Sequence, residues 1–209
     1  MTERAQQTNN TKPRGQNRVR IIGGMWRSRI IEFPDLPGLR PTPDRVRETL
    51  FNWLGQTMTQ KRCLDLFAGS GALGFEAASR GASSVTMVES ARPAIYALRR
   101  NRERLGANQC QIIAQDAVKT LDVLKDAFDV IFVDPPFSSD FLPAMLPKLV
   151  DCLGSGGMVY AEWREPLSDV VARLPGNPWK VLRSGQAGAA YFALLSREEF
   201  PSTLNEAAS

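Results

Sequence analysis

The sequence predicts an α/β fold in which helices cover both faces of a mostly parallel sheet. Short apolar segments with strand character alternate with amphipathic segments of helical period along most of the chain. A strand that returns parallel to its neighbour needs a long crossover, which a helix usually supplies. The length of 209 residues fits one hydrophobic core, and a composition of 43% hydrophobic and 23% charged residues is ordinary for a globular protein.

Five strands of the predicted sheet are separated by four helices. The strands are expected at residues 62–67, 85–89, 111–114, 130–133 and 158–162. The helices are expected near residues 74–80, 93–105, 118–125 and 141–152. Residues 180–184 and 190–195 are predicted as two further strands, and Gly185 and Gly188 between them favour an antiparallel hairpin at one edge.

The N-terminal part is predicted to be a basic extension of this fold. Residues 1–17 are polar, offer little surface to bury, and are expected to form a flexible basic tail. Residues 18–40 are expected to form a β-hairpin arm, because strand-like segments lie on either side of Gly23 and Gly24.

The α/β domain itself is expected to span residues 41–200, before a flexible C-terminus at 201–209. Its first helix is expected to begin at Thr42, which can cap it, with Pro43 in the first helical position. One face of this helix carries apolar residues at helical spacing, namely Val46, Leu50, Trp53 and Leu54.

The formal net charge is +4, but it is unevenly distributed. Residues 1–30 hold seven Lys and Arg against Glu3 alone, a net +6, so the remainder of the chain carries −2. Such a local excess predicts contact with a polyanion, RNA or DNA before an anionic membrane. A solvated tail that aids solubility accounts for the same charge equally well.

Several kinds of chemistry are excluded by what the sequence lacks. Without histidine there is no imidazole base, no Ser/His or Cys/His pair and no HExxH zinc site. Cys63, Cys110 and Cys152 form no CxxC pair, so neither a disulfide framework nor a metal site is expected. Reduced thiols, together with the lack of a signal peptide or membrane span, predict a cytoplasmic protein.

A glycine-rich loop follows the first strand of the predicted sheet. Gly69, Gly71 and Gly74 have GxGxxG spacing at a strand-to-helix turn, where backbone can approach a ligand closely. No Gly-Lys-Ser/Thr is present, so this is not a P-loop. Glu89 ends the next strand, where a carboxylate can accept hydrogen bonds from both ribose hydroxyls. These features fit NAD as well as an adenosyl cofactor, and glycines can also simply make a tight turn.

Two more carboxylates favour S-adenosylmethionine. Asp65, just before the loop, suits the ammonium of a methionyl group, whereas it would repel a pyrophosphate. Asp116 follows the third strand and is expected to accept a hydrogen bond from the adenine amino group. The sequence therefore predicts an S-adenosylmethionine site.

The fourth strand ends in Asp134-Pro135-Pro136-Phe137, at the sheet edge where α/β proteins bind ligands. The Asp134 carboxylate and the Pro135 carbonyl are acceptors that can converge on one NH2 group. Holding both N–H bonds helps a planar exocyclic amine to turn its lone pair toward a methyl donor, while Phe137 stacks on the base. The alternative is a rigid strand-ending turn with an aspartate that caps a helix.

These motifs together resemble the RsmD family of bacterial 16S ribosomal RNA guanine-N2 methyltransferases. The resemblance covers about residues 19–195 and rests on three sets of residues. They are Arg20-Ile21-Ile22-Gly23-Gly24, the segment Arg40-Pro41-Thr42 with Asp44-Arg45-Val46-Arg47-Glu48-Thr49-Leu50-Phe51-Asn52-Trp53-Leu54, and Asp65-Leu66-Phe67-Ala68-Gly69-Ser70-Gly71 with Asp134-Pro135-Pro136-Phe137.

The resemblance implies the class I methyltransferase fold, Rossmann-like, with a seven-stranded sheet, a final antiparallel hairpin and a small N-terminal extension. The implied reaction makes N2-methylguanine and S-adenosylhomocysteine on a small-subunit assembly, with the enzyme as a monomer. Phe67 joins the loop glycines and the three carboxylates as an implied cofactor contact.

Basic residues of the arm and of the first helix are the candidates for RNA contact. They are Arg18, Arg20, Arg27, Arg29, Arg45 and Arg47. For Arg45 and Arg47, a surface salt bridge with Glu48 or Asp44 is an equally good interpretation. Trp26 can stack on RNA, although a buried anchor for the hairpin is the favoured interpretation.

Three rival functions use the same motifs. An adenine-N6 DNA methyltransferase shares the DPPF chemistry but usually carries a separate target-recognition region, for which there is little room. A protein-glutamine methyltransferase usually has asparagine where Asp134 stands. A non-catalytic RNA-binding module would not need Asp134 and Glu89 intact.

Overall fold

The computed structural model describes residues 17–125, 127–137 and 140–197. The predicted tail, apart from Asn17, and the predicted flexible C-terminus lie outside these ranges. A two-stranded antiparallel sheet comes first, formed by β1 (Asn17–Arg20) and β2 (Ile30–Phe33). Seven further strands form one sheet, and they are β3 (Arg62–Asp65), β4 (Ser84–Glu89), β5 (Cys110–Ala114), β6 (Phe128–Val133), β7 (Leu153–Trp163), β8 (Trp179–Ala187) and β9 (Ala190–Arg197).

The strand order in the large sheet is β5-β4-β3-β6-β7-β9-β8. The first five strands in this order are parallel, and β9 pairs antiparallel with both β7 and β8. Helix α1 (Asp44–Trp53) precedes β3, and helix α6 (Leu167–Ala172) lies between β7 and β8. The helices that connect parallel strands are α2 (Ala72–Ser79), α3 (Arg92–Leu105), α4 (Ala117–Val123) and α5 (Phe141–Leu149). None of these helices in the described ranges is long and apolar enough to cross a membrane.

Each face of the sheet has its own apolar core. Side chains alternate between the faces along a strand, so Cys63 joins the core beneath α1, α2 and α3, while Leu64 joins the core beneath α4, α5 and α6. Both residues are completely buried, as expected for a central strand of a parallel sheet. The predicted α/β class with a terminal antiparallel hairpin is therefore confirmed.

The element bounds differ from the predicted ones in several places. The long strand β7 extends beyond the predicted 158–162 at both ends, and β8 continues to Ala187, so the hairpin turn lies at residues 188–189. The short helix α6 was not predicted, because its six residues span too few turns for a periodic pattern.

The predicted N-cap of α1 is wrong. The helix begins at Asp44 with Pro43 as its N-cap, and no side chain caps it. The Thr42 hydroxyl is instead bonded to the side chain of Glu162. A tertiary partner has therefore taken the group that would otherwise have capped the helix.

The N-terminal arm is anchored to α2 through one carboxylate. Glu76 is completely buried and accepts backbone N–H bonds from Ile22 and Gly23, each at 2.8 Å. The same carboxylate pairs with Arg47 of α1 at 3.1 Å and with Arg80 at 2.8 Å. Four donors thus satisfy a charge that burial would otherwise make costly.

The tip of the arm is buried beside the end of α2. Trp26 is 7% exposed, and its backbone N–H donates to the Ser79 hydroxyl at 2.9 Å. The interpretation of Trp26 as a buried hairpin anchor is therefore confirmed. Gly24 has φ +74°, and an added Cβ would lie 1.8 Å from the Ser79 carbonyl oxygen, so only glycine allows this close approach.

The prediction that Arg47 binds RNA is contradicted. Its side chain is 1% exposed and donates to Glu76, to Asp44 at 2.6 Å and to the Arg20 and Thr42 carbonyls. With its donors engaged inside the protein, this guanidinium joins α1 to the arm and to α2. The alternative partner Asp44 is observed, but within a buried network rather than a surface pair.

Arg47→Ala should lower the free energy of unfolding by about 3–5 kcal/mol, because it leaves the Glu76 charge buried with fewer partners. Arg45→Ala, two residues away on the exposed side of α1, is the matched control and should change it by less than about 0.5 kcal/mol. Urea denaturation of both variants measures the difference. If Arg47→Ala lowers the free energy of unfolding as little as is expected for Arg45→Ala, the buried network contributes little to stability.

Candidate active site

Four carboxylates meet where the parallel strands end. Asp65 ends β3, Glu89 ends β4, Asp134 follows β6, and Glu162 lies next to the end of β7. The connections leave β3 and β6 in opposite directions, so a crevice opens between these strands, as at other switch points in α/β sheets. The alternation of side chains directs all four acids toward the face beneath α1, α2 and α3.

The loop after β3 closes tightly around its glycines. Gly71 has φ +81°, and an added Cβ would lie 2.6 Å from the Phe75 ring, so both conformation and packing require glycine. Gly69 also has a positive φ of +49°, and its N–H donates to the Glu89 carboxylate at 2.9 Å. Glu89, which is predicted to bind the cofactor, therefore holds the loop next to the end of β4.

Asp65 is buried at the base of this loop. Its carboxylate accepts the backbone N–H of Gly74 at 3.0 Å and that of Phe67. Burial, with a smaller contribution from the nearby negative Glu89, raises the pKa of Asp65 from 3.8 to about 7. A cation bound next to this carboxyl would stabilise its charged form.

Glu89 and Asp116 both hold backbone donors. The Glu89 carboxylate accepts from Ser90 at 2.8 Å and from Ala91 at 2.7 Å, in addition to Gly69. Asp116 caps α4, because its Oδ1 accepts from the N–H groups of residues 118 and 119. Its exposed carboxylate retains a second oxygen, Oδ2, that can accept from a ligand.

The Asp134–Phe137 segment is held from the end of β7. Arg164 donates to the Phe137 carbonyl at 2.9 Å and to Asp140 at 2.5 Å, on the other side of residues 138–139. The Arg164 guanidinium lies over the Trp163 ring, and the half-buried Phe137 ring meets the same indole edge-on at 6.2 Å between centroids. This support fixes Phe137, directly after the Pro135–Pro136 pair.

The Asp134 carboxyl group is poorly solvated and lies near other negatively charged side chains. Burial raises the pKa of its carboxyl well above the ordinary value, and Glu162 and Asp65 raise it further. Such a carboxylate is a better proton acceptor than an exposed aspartate. It is also a strong hydrogen-bond acceptor for a donor that replaces water in the crevice.

Sequence reasoning missed Glu162. It is 6% exposed and accepts the Tyr160 hydroxyl at 2.7 Å as well as the Thr42 hydroxyl. Burial is the main cause of its raised pKa. The only available signal was an acid near the end of the fifth parallel strand, matching the positions of Asp65 and Glu89.

Phe67 and the predicted RNA contacts occupy different places. Phe67 is half-buried, with its ring 6.1 Å from the Phe141 ring by centroid, and packs against the core beneath α4, α5 and α6. Arg45 is exposed at the start of α1. Arg20 is near it and pairs loosely with Asp44, at 3.6 Å.

The other arm arginines lie farther from the crevice. Arg18 is 70% exposed and pairs with Glu32 at 3.5 Å. Arg27 and Arg29 are exposed at the hairpin tip, which packs at the Ser79 end of α2. The carboxylates lie at the opposite end of that helix, so the structure does not bring these two arginines to the crevice.

The crevice concentrates negative charge without forming a metal site. Within residues 17–125, 127–137 and 140–197, no group of three or more acidic or cysteine side chains has metal-binding geometry. Mutual repulsion among the carboxylates favours a ligand that carries positive charge or several N–H and O–H donors. The tight glycine loop beside Asp65 and Glu89 leaves backbone close to such a ligand.

Comparison with known proteins agrees with this geometry. A family profile described as "Conserved hypothetical protein 95" matches residues 19–195. Ribosomal RNA small subunit methyltransferase D from Escherichia coli K12 is 41% identical over 188 residues, which cover 88% of this chain and 92% of that protein. This chain belongs to that methyltransferase family. The Haemophilus influenzae protein of the same name is 38% identical, with coverages of 87% and 95%.

Solved structures place the methyltransferase family on this fold. The structure of yhhF from Escherichia coli has a TM-score of 0.75 and 39% identity, covering 87% of this chain and 99% of that one. The predictions of an enzyme and of a methyltransferase are confirmed. The predicted seven-stranded architecture with an N-terminal hairpin is confirmed as well.

Asp65→Asn should remove a pH dependence of stability. The folded protein binds a proton at Asp65 with a pKa of about 7 and the unfolded chain with one near 3.8, so the free energy of unfolding falls as pH rises through this window. The fall attributable to Asp65 reaches at most about 4 kcal/mol. Urea denaturation between pH 4 and pH 8 compares the wild type with Asp65→Asn and with the exposed control Asp151→Asn. A wild-type profile parallel to that of Asp65→Asn would contradict this assignment.

Proposed function

We propose that this protein transfers a methyl group from S-adenosylmethionine to the exocyclic N2 of a guanine in 16S ribosomal RNA. The observation that carries the proposal is the position of Asp134-Pro135-Pro136-Phe137 at the crevice, next to Asp65 and across from the glycine loop. The name of the relatives, small subunit ribosomal RNA methyltransferases, supports the RNA substrate.

The cofactor contacts follow from the donors and acceptors of the crevice. Asp65 would hold the methionyl ammonium, and the backbone of Gly69 and Gly71 would lie against the cofactor. Glu89 would accept from the ribose hydroxyls, with the rearrangement of at least one of its backbone contacts. Asp116 would accept from the adenine amino group through Oδ2, and Phe67 would contribute to the apolar wall.

The reaction needs the guanine N2 lone pair to point at the methyl carbon. When bound, the cofactor supplies a methyl group on a positively charged sulfur. Asp134 and the Pro135 carbonyl would accept the two N–H bonds, so the nitrogen becomes pyramidal as its lone pair leaves the ring. A nitrogen–carbon bond forms, the carbon–sulfur bond breaks, and one proton leaves the nitrogen. The raised pKa of Asp134 suits it to receive that proton.

The base would have to leave its stack to reach this crevice, and Phe137 would stack on it. We propose that the substrate is a small ribosomal subunit or its assembly intermediate, on which the protein acts as a monomer. RNA binding would involve residues 1–17 and the hairpin arm of 18–40. Catalysis would take place in the domain of 41–200. The three cysteines are buried, as expected for reduced core thiols, which agrees with action in the cytoplasm.

Substitution of Asp134 tests the proposal. Small subunits from a strain lacking this protein are incubated with S-adenosylmethionine and enzyme, and their RNA nucleosides are analysed by mass spectrometry. The wild type should add one N2-methylguanosine, and Asp134→Ala should lower the rate by about 10²-fold or more. Asp134→Asn, which keeps a carbonyl acceptor, should retain measurable activity if the carboxylate mainly orients the amine.

Calorimetry with S-adenosylhomocysteine provides the control for this test, because both variants should bind it as the wild type does. Equal inactivity of Asn and Ala would assign proton removal to Asp134. If the wild type forms no N2-methylguanosine, the proposed function is refuted.

Neutralising arm arginines should weaken RNA binding in a salt-dependent way. In Arg18→Gln/Arg20→Gln, the slope of log K against log salt should shrink by about 0.7–0.9 for each RNA phosphate that the arm no longer neutralises. The control variant, Arg173→Gln/Lys180→Gln, removes one charge after the end of α6 and one in β8. Strand β8 is the edge strand of the large sheet, several strands away from β3 and β4, which α2 connects. This variant should therefore leave the slope unchanged. Filter binding to small subunits measures both variants, and identical slopes would assign the arm charges to solubility alone.

A further inference from the structure

Glu162 occupies the place beside Asp134 on the next strand. Val133 is in register with Ala161, so Asp134 and Glu162 are the next pair along β6 and β7. Adjacent parallel strands lie about 4.8 Å apart, and side chains in register project from the same face. The two carboxyl groups influence each other strongly, as the electrostatic contribution of Glu162 at Asp134 indicates.

The Glu162 carboxylate is held in one orientation. The Tyr160 hydroxyl donates to its Oε1 at 2.7 Å, and the Thr42 hydroxyl donates to the same carboxylate. Tyr160 is completely buried and Thr42 is 6% exposed, so neither donor is free to exchange with bulk water. A carboxylate has about four lone-pair positions, and these two bonds leave two for another donor.

Guanine presents three N–H bonds on one edge, two from N2 and one from N1. Asp134 and the Pro135 carbonyl account for the N2 amine in the proposed reaction and leave N1–H without an acceptor. We infer that Glu162 accepts the guanine N1–H and thereby selects guanine among bases with an exocyclic amine. This inference rests on the proposed function and names the residue that determines its base specificity.

The same geometry disfavours adenine. The adenine N6 amine could reach Asp134 and the Pro135 carbonyl, but the adjacent N1 atom is an acceptor and would face the Glu162 carboxylate. Two acceptors that face each other, one of them charged and desolvated, are destabilising because neither can satisfy the other. A glutamine at this position could instead donate its amide N–H to such a nitrogen.

2-Aminopurine separates these contributions, because it keeps the N2 amine of guanine but has an acceptor at N1. After the methylated position has been mapped with the wild type, small subunits are reconstituted with guanine or 2-aminopurine at that position. The wild type should methylate guanine with a kcat/KM at least about tenfold higher, as expected when a hydrogen bond to a charged group is absent from the 2-aminopurine complex. Glu162→Gln should reduce this preference to less than about twofold or reverse it.

Two further variants keep the test independent of folding. Glu162→Asp retains the charge and should keep the preference for guanine at a lower rate. Tyr160→Phe removes a donor that orients the carboxylate but leaves the carboxylate itself, so it should also keep the preference. Thermal unfolding and S-adenosylhomocysteine binding verify that each variant is folded.

The outcomes separate this inference from the proposed function. A wild type that methylates guanine and 2-aminopurine equally well overturns the role of Glu162 and leaves the proposed function standing. If the activity of Glu162→Gln falls by the same factor on both bases, Glu162 serves only as an anchor for Thr42. That result would also overturn the role of Glu162 in base selection. If the wild type forms no N2-methylguanine in the mapping step, the proposed function itself is refuted.

Discussion

A single buried carboxylate joins three parts of this protein that are distant in sequence. Glu76 of α2 accepts the backbone of the arm at Ile22 and Gly23 and pairs with Arg47 of α1 and Arg80. A charged side chain is rarely placed in a protein interior unless hydrogen bonds surround it, and here they come from separate elements. The arm, α1 and α2 therefore reach their mutual positions through the need to satisfy this one charge.

The position of the crevice wall depends on that anchorage. Residues 34–43 connect the arm, which Glu76 anchors at Gly23, to α1, and the Thr42 carbonyl near their end accepts from Arg47 of the same network. Within this connection Leu39 lies against Gly69 of the glycine loop, and Thr42 bonds to Glu162. The segment thus spans from the loop after β3 to the end of β7. The connection between the arm and α1 therefore orients a carboxylate inside the crevice.

The fold was predictable because its signals are local, and part of the site was not. Strand and helix periods, the glycine spacing and the Asp134-Pro135-Pro136-Phe137 turn are each contained in a few adjacent residues. Arg47 was misassigned because a charged residue near a helix start gives no sign of a buried partner 29 residues later. For the same reason Thr42 was misassigned as a helix cap and Glu162 was missed, because the role of each depends on a bond between distant segments.

Charge is divided between the two functions that the protein must combine. The crevice gathers Asp65, Glu89, Asp134 and Glu162, whereas the basic excess lies in the first 30 residues of the chain. A polyanion is repelled by the crevice and attracted to the arm, so its phosphates would bind outside while a single base, rich in N–H donors, enters. Negative charge at the site would therefore reject the RNA backbone and accept the N–H edge of the proposed guanine substrate. Because the basic and the acidic residues lie in separate parts of the chain, one small domain would be able both to bind RNA phosphates and to admit a base.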